Sequence, residues 1–258
     1  MVELKTAGEI DAMHAAGLVV ADALAMVRDH AAVDVRLASL DQVARGVLGD
    51  AGASSPFLGY QPGFASAPFP AVICTSVNDA ALHGIPDHYR LAEGDLLSVD
   101  FGAVLDGWAA DAAVSFSIGQ PHADDRRLID AAEAALAAGI DAARVGARIG
   151  DISAAIALVG RAAGCGINTD FGGHGIGHSM HEAPPVPNDG RAGRGMRLRP
   201  GLVIAIEPWF LAGGNDDYRI DPDGWTIRSA DGTRAAHAEH TVAITATGPR
   251  VLTTRAAT

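Results

Sequence analysis

The 258-residue chain carries 19 basic and 31 acidic side chains, a formal net charge of -12, with 48% hydrophobic and 19% charged residues. With no polar low-complexity tract, this composition describes a folded globular chain and excludes disordered and fibrous classes, and the negative charge argues against nucleic acid or an acidic membrane surface as partner. Cys74 and Cys165 are too few for a disulfide framework or a thiolate metal site. No secretory apolar region appears near Met1, and no apolar run approaches the roughly 18 residues of a membrane span, so a cytoplasmic protein is expected.

Thr6 followed by Glu9 is a capping-box pattern, and Ile10, Met13, Gly17 and Leu18 repeat with helical spacing, which predicts a helix from about Thr6 to His30. A second helix, about Arg36 to Asp50, carries Leu37, Leu40, Val43, Val47 and Leu48 and stops at the Gly/Pro/Ser-rich stretch Gly52 to Pro70, a long loop containing aromatics. Strands follow in AVICTSV from Ala71, then DLLSVDFGAVL and WAADAAVSFSI on either side of Asp106-Gly107, a dipeptide favoured in tight hairpins. After Gly119 the pattern restarts, with helices from about Asp124 to Arg144 and Asp151 to Ala163. The strands LVIAIEPWF, DDYRID, GWTIRS and HAEHTVAITA come next. Helix, helix, strands thus occurs twice without a residue-level repeat or a linker, and one compact α+β domain spanning 1–258, with pseudo-symmetric halves of about 1–119 and 120–258, is expected.

A two-residue loop at Asp106-Gly107 sets Asp100 opposite Ala113 and Asp111 opposite Gly102. Asp100 and Asp111 then become diagonal neighbours on one sheet face, within reach of each other or of a common ion. The bland alternative is that one is a solvated strand residue. Glu207, ending the apolar run LVIAI, needs a partner, and Glu239 in AEHTVAI adds a fourth carboxylate with no Lys or Arg beside any of them in sequence. Four carboxylates with a histidine make a hard, oxygen-rich donor set suited to two divalent first-row metals, unlike the thiolates of structural zinc sites.

The segment GGHGIGHSMHEAPPVPN places His174, His178 and His181 at spacings that would align on a helix. Helix through Gly172, Gly173, Gly175 and Gly177, each costing about 1 kcal/mol relative to Ala, ahead of a Pro-rich tail, is a poor reading. In extended or looped backbone His181 has the opposite parity from the other two, which argues against one metal shared by all three.

These residues resemble the type I methionine aminopeptidase family. The match runs through KTAGEIDAMHAAG, CTSVNDAALHGIP, VDFGAVLDGWAAD, GGHGIGHSMHEAPPVPN, RPGLVIAIEPW and DGWTIRSADGTRAAHAEHTV, nearly the whole chain. The resemblance implies a duplicated "pita-bread" fold with two divalent ions (Co, Mn, Fe(II) or Zn) between its halves. It also implies removal of N-terminal methionine from nascent polypeptides, favouring a small second residue. Asp100 resembles the chelating aspartate of the first metal, Asp111 the bridging aspartate, His174 and Glu207 ligands of the second, and Glu239 a bridge of both. His83 and His181 look like substrate-facing histidines, with Glu207 a proton shuttle, and His178 matches a position without a catalytic role, a polar loop residue. The methionine pocket implied is Tyr60, Phe69, Cys74 and Trp225, with Phe57 and Met180 at the rim, although some of these, Phe57 above all, also suit an ordinary core. Two departures stand out: Met180 occupies a position where bacterial relatives commonly carry Phe, and the loop QPGFASAPFP after Tyr60 is longer than usual.

Proline-directed peptidases of the same fold usually place another domain ahead of the catalytic one, whereas the leading helix here begins near Thr6. Type II relatives insert a subdomain between the last two glutamates, for which the interval Glu207 to Glu239 leaves no space. A non-catalytic binding member typically loses ligands that are all present here. The short N-terminus offers no separate docking extension, so any transient ribosome contact would use the surface of the catalytic domain.

Overall fold

The computed structural model describes residues 2–254. In chain order the elements are α1 (Ala7–His30), α2 (Leu37–Ala51), β1 (Ile73–Val77), β2 (Ala80–Leu82), β3 (Leu96–Leu105), β4 (Trp108–Ser117), α3 (Ala123–Ala142), α4 (Ile149–Ala162), β5 (Gly173–Gly175), β6 (Glu182–Val186), β7 (Val203–Ile206), β8 (Trp209–Leu211), β9 (Tyr218–Ile220), β10 (Ile227–Ser229), β11 (Ala235–His237), β12 (Glu239–Thr245) and β13 (Gly248–Val251). The repeated order of helix pair and strands is the one the sequence pattern predicts. At the start of α1 the anticipated capping box is present, with the Glu9 N–H donating to Thr6 Oγ1 and the Thr6 N–H donating to the Glu9 carboxylate.

Eight strands form an antiparallel sheet in the order β1-β3-β4-β12-β7-β5-β6, with β13 beside β12; β2-β10-β9 and β8-β11 are two small satellites. The pair β4–β12 is therefore the seam between the two halves. Strand periodicity sorts residues onto faces. Leu97, Val99 and Phe101 of β3 pack with Val20, Leu24 and Leu40 of α1 and α2, and Ile204, Ile206, Val242 and Ile244 pack with Leu136, Ile152 and Ile156 of α3 and α4. The intervening residues, Asp100, Asp111, Glu207 and Glu239 among them, have the opposite parity and face away from the helices.

Two expected strands are interrupted. LVIAIEPWF splits at Glu207-Pro208 into β7 and β8, since Pro208 brings no N–H to a ladder. HAEHTVAITA splits at Ala238, whose N–H donates to the Pro208 carbonyl at 3.0 Å. Contrary to the expectation that no apolar run approaches the length of a membrane span, helix α1 is long and apolar enough for one by composition alone. Its buried residues Ala16, Val20 and Val27 belong to the core with α2 and β3, Met13 packs with Trp108 and Leu252, and half of its most apolar window is buried.

Gly17 marks the closest approach of α1 to the C-terminal segment: a Cβ there would lie 2.0 Å from the Leu252 carbonyl oxygen. Gly17→Ala is expected to cost about 1–3 kcal/mol by overpacking. Gly46→Ala, with nothing within 4 Å, is expected to be neutral or stabilising. Thermal unfolding of the two variants measures the contrast, at about 2–4 °C per kcal/mol for a chain of this size.

Candidate metal centre and active-site cleft

The β3–β4 hairpin turns at Asp106 and Gly107, both at positive φ (50° and 82°), as a type I′ turn requires. The register that follows pairs Asp100 with Ala113 and Gly102 with Asp111, so the two aspartates are diagonal neighbours on the face away from α1 and α2. Glu239 arrives across the seam opposite Ala113, and Glu207 follows the last residue of β7.

Side-chain hydroxyls hold this seam. The Asp111 N–H donates to Thr241 Oγ1 (2.9 Å), and that hydroxyl donates to the Asp111 carbonyl (2.8 Å). Likewise the His237 N–H donates to Ser115 Oγ (2.9 Å), and the Ser115 hydroxyl donates to the His237 carbonyl (2.7 Å). Each hydroxyl bridges backbone that lies beyond the direct β4–β12 ladder, fixing Asp111 and the approach to Glu239 from both halves.

His174 lies on β5. Its Nδ1–H donates to the Gly175 carbonyl (2.9 Å), which leaves the Nε2 lone pair 3.6 Å from Glu207 Oε1. One potential ligand atom from each of Asp111, His174 and Glu239 lies within 4.8 Å of the others. All three residues are buried, at 4%, 7% and 2% exposure.

Burial pushes the Asp100 carboxyl up to about 7, and burial with the adjacent Asp100 charge pushes Glu207 up to about 8, although both keep some surface open to the cleft. Asp111 and Glu239 are held well above the usual carboxylate range, first by burial and then by the carboxylates around them. Asp100 Oδ1, Asp111 Oδ1 and Glu239 Oε1 have no hydrogen-bond partner. Among the described residues no Lys or Arg forms an ion pair with any of the four. Orphaned oxygens from several acids, one imidazole and no basic partner fit hard divalent cations. Cys74 faces Asp100 across β1–β3, but burial and the neighbouring carboxylates raise its thiol well above the usual range, so it sits there as a neutral, apolar group.

The three histidines of the glycine-rich segment part company. The segment is the hairpin β5–β6 with an irregular return, not a helix, and this return carries His181 back until its ring is 4.2 Å from that of His174. Tyr60 also stacks on His181, at 5.2 Å. His181 is exposed at the cleft mouth, yet the protein around its ring desolvates it enough to lower its pKa. His178 points elsewhere: it stacks on Trp108 at 3.8 Å, and its Nδ1 hydrogen-bonds the Gly107 carbonyl (2.8 Å). His83, at φ 57°, faces the cleft with Nδ1 unpartnered, and burial holds its pKa at about 4.

Beside the acids, Phe57, Phe69, Cys74 and Trp225 form a buried cluster on which Tyr60 and Met180 pack. Phe57, expected at the rim or in an ordinary core, is 6% exposed, meets Phe69 edge-on at 6.4 Å and lines the same cavity. Together with His83, His174, His181 and the carboxylates these residues line a cavity of about 210 Å³. Three neighbours are absent from the sequence reading. Phe64 and Phe171 line the cleft next to His83. His237 is buried with Nε2 unpartnered, 3.8 Å from Glu207 Oε2 and 3.9 Å from Glu239 Oε2. Its position two residues before Glu239 is a parity signal that could have revealed it.

Two like halves meeting at a cage of buried acids and one imidazole define the class, a metallopeptidase of the pita-bread fold. Residues 11–246 match Metallopeptidase family M24. Methionine aminopeptidase 1 of Mycobacterium tuberculosis is 47% identical over 260 residues, spanning 98% of this chain and 95% of its own. The crystal structure of methionine aminopeptidase from Thermotoga maritima is similar with a TM-score of 0.94 at 34% identity, covering 99% of this chain and 100% of that one. Prolidase from Pyrococcus furiosus shares the fold at a TM-score of 0.75 and 20% identity, over 98% of this chain and 66% of its own. The chain belongs to family M24 and, within it, to the methionine aminopeptidases.

Asp111→Asn removes a central charge from the cage and is expected to lower metal content and activity together by about 100-fold or more. His178→Ala, which loses a stacking contact outside the cage, is expected to lower stability by about 1 kcal/mol and keep activity within about twofold. Metal analysis of purified protein alongside peptide turnover separates the two outcomes.

The raised carboxyl values also set a pH dependence. In metal-free protein the folded chain holds protons that the unfolded chain releases near pH 4, so this cluster makes the fold less stable as pH rises from about 4 to 8. Cation binding displaces the same protons. Calorimetric titration with Mn(II) at pH 7 in two buffers of different ionisation enthalpy is expected to show proton release, with affinity weakening from pH 8 to pH 6.

Proposed function

We propose that the chain removes N-terminal methionine from peptides and nascent polypeptides, using two divalent cations held by Asp100, Asp111, His174, Glu207 and Glu239. The observation that carries this reading is the junction of a partnerless acid cage with an apolar pocket in one cavity. Such cations, whether Co, Mn, Fe(II) or Zn, would supply an activated water and Lewis-acid polarisation of the peptide carbonyl.

The chain's own groups divide the remaining work. Tyr60, Phe69, Cys74 and Trp225, with Phe57 and Met180, bind the methionine side chain. Met180 contributes an unbranched, polarizable wall suited to a thioether. With the side chain in this pocket the free α-amine lies beside the acid cage, which favours a chain end over an internal methionine. His181 donates a hydrogen bond to the carbonyl oxygen as negative charge develops there. His83 has a pKa of about 4 and is therefore a neutral hydrogen-bonding partner of the departing nitrogen at neutral pH. The proton that nitrogen needs falls to Glu207, which takes it from the attacking water on a carboxylate oxygen and passes it on. A preference for a small second residue is part of the same reading.

Metal-loaded protein is expected to release free methionine from Met-Ala-Ser, with turnover falling at least about 100-fold for a bulky second residue such as Leu, and chelation is expected to abolish release. A Met-X-Ser series with added Mn, Co or Fe(II) tests this; absence of methionine from every peptide with folded, loaded protein would sink the reading.

A further inference from the structure

The long loop between Tyr60 and Phe69 is built around a residue with no part in the chemistry above. Its ends are clasped, with the Gly59 N–H donating to the Phe69 carbonyl and the Phe69 N–H to the Tyr60 carbonyl, both at 2.8 Å. Inside it the Ala65 N–H donates to the Pro62 carbonyl (3.1 Å), and Gln61 Nε2 donates to the Ala65 carbonyl (3.3 Å). Trp225 Nε1 donates to the Ala67 carbonyl (2.8 Å), fastening the far limb to the pocket wall. At the apex Phe64 lies nearly parallel to His83 (5.9 Å, 19°) and edge-on to Phe171 (5.3 Å) and Trp225 (5.5 Å).

Despite three aromatic neighbours Phe64 remains 41% exposed, and it lines the same cavity as the acid cage. A ring held this firmly with its free surface in the cleft is a wall awaiting an apolar group. Which group follows from distance. If His83 meets the nitrogen released by cleavage, the Cα of the third substrate residue lies about 5 Å farther along an extended chain, close to the ring separation of His83 and Phe64. Asp170, which accepts a hydrogen bond from the Tyr218 hydroxyl (3.0 Å) and immediately precedes Phe171, lines the same cavity and sets a negative charge against acidic residues there.

We infer that Phe64, with Phe171, forms an apolar platform for the side chain of the third substrate residue, so that the loop selects Met-X-apolar sequences over Met-X-Gly and Met-X-Asp. The inference rests on the aminopeptidase reading. Partial burial of a Leu side chain on the platform corresponds to about tenfold in kcat/KM.

The test uses the metal-loaded full chain on Met-Ala-Leu-Ser, Met-Ala-Gly-Ser and Met-Ala-Asp-Ser, reading methionine release. Wild type is expected to prefer Leu over Gly about tenfold, with Asp slowest. Phe64→Ala is expected to bring the Leu/Gly ratio to about twofold or less. Phe64→Gln, which keeps bulk and loses the apolar face, is expected to do the same, so the result does not depend on one variant folding. Because Phe64 also stacks on His83, rates with all three peptides can fall; the ratio is the readout, and a purely structural role would leave it unchanged. An unchanged ratio in both variants, or a wild type indifferent to the third residue, overturns the platform alone. No methionine release from any peptide by loaded wild type overturns the aminopeptidase reading and the platform with it.

Discussion

Four carboxylates gathered on the seam of one sheet are the constraint to which the rest of the architecture answers. Each would cost several kcal/mol to bury unpaired, and no Lys or Arg of the described residues pairs with them. Raised carboxyl values and orphaned oxygens are the expected signs of that cost in the chain alone. Divalent cations would offset the same cost, because a preformed cage loses little in reorganisation when charge is supplied. Irregularities of the fold cluster accordingly around the cage. The breaks at Pro208 and Ala238 flank Glu207 and Glu239, and the Thr241 and Ser115 hydroxyls replace ladder bonds where the strands part to make room.

Histidine illustrates how environment, not residue type, sets a role. His174 has its Nδ1 committed to a backbone carbonyl, so Nε2 is the free atom facing acids. His181 packs against both His174 and Tyr60 at the mouth. His178 lies flat on Trp108 and grips the hairpin tip at Gly107. Its contribution is to join the β5–β6 return to the hairpin that carries Asp100 and Asp111. His237 adds a fourth case, a neutral ring whose pKa burial lowers to about 3, lying 3.8 Å from Glu207 and 3.9 Å from Glu239.

What the sequence made legible follows from rules with fixed periods. The Thr6/Glu9 cap, the Asp106-Gly107 turn and the diagonal placement of Asp100 and Asp111 all come from counting along helix or strand, and the structure has each of them. The satellite strand β2 is only three residues long, and β8 and β11 are three-residue pieces broken off longer expected strands, too short for alternation to mark them as separate elements. Their pairing depends on partners far away in the chain. Phe64 escaped for a similar reason: within QPGFASAPFP nothing local distinguishes a loop aromatic that turns outward from one folded onto His83. That outcome is decided by the clasp at Gly59 and Phe69 and by the indole of Trp225.

The N-terminal segment shows how far the site extends beyond its lining. Lys5, its side chain only 2% exposed, donates to Glu182 Oε2 at 2.7 Å, while its N–H donates to the Gly201 carbonyl. Glu182 also accepts the Ser179 N–H through its other oxygen. The residue immediately after His181 is thus held by the segment entering α1, so a segment of the first half braces the stretch of the second that carries His181. This exchange mirrors the seam, where Thr241 of the second half fixes Asp111 of the first. Each half thus braces a cleft-lining segment of the other, and the geometry of the cleft depends on how the two are docked.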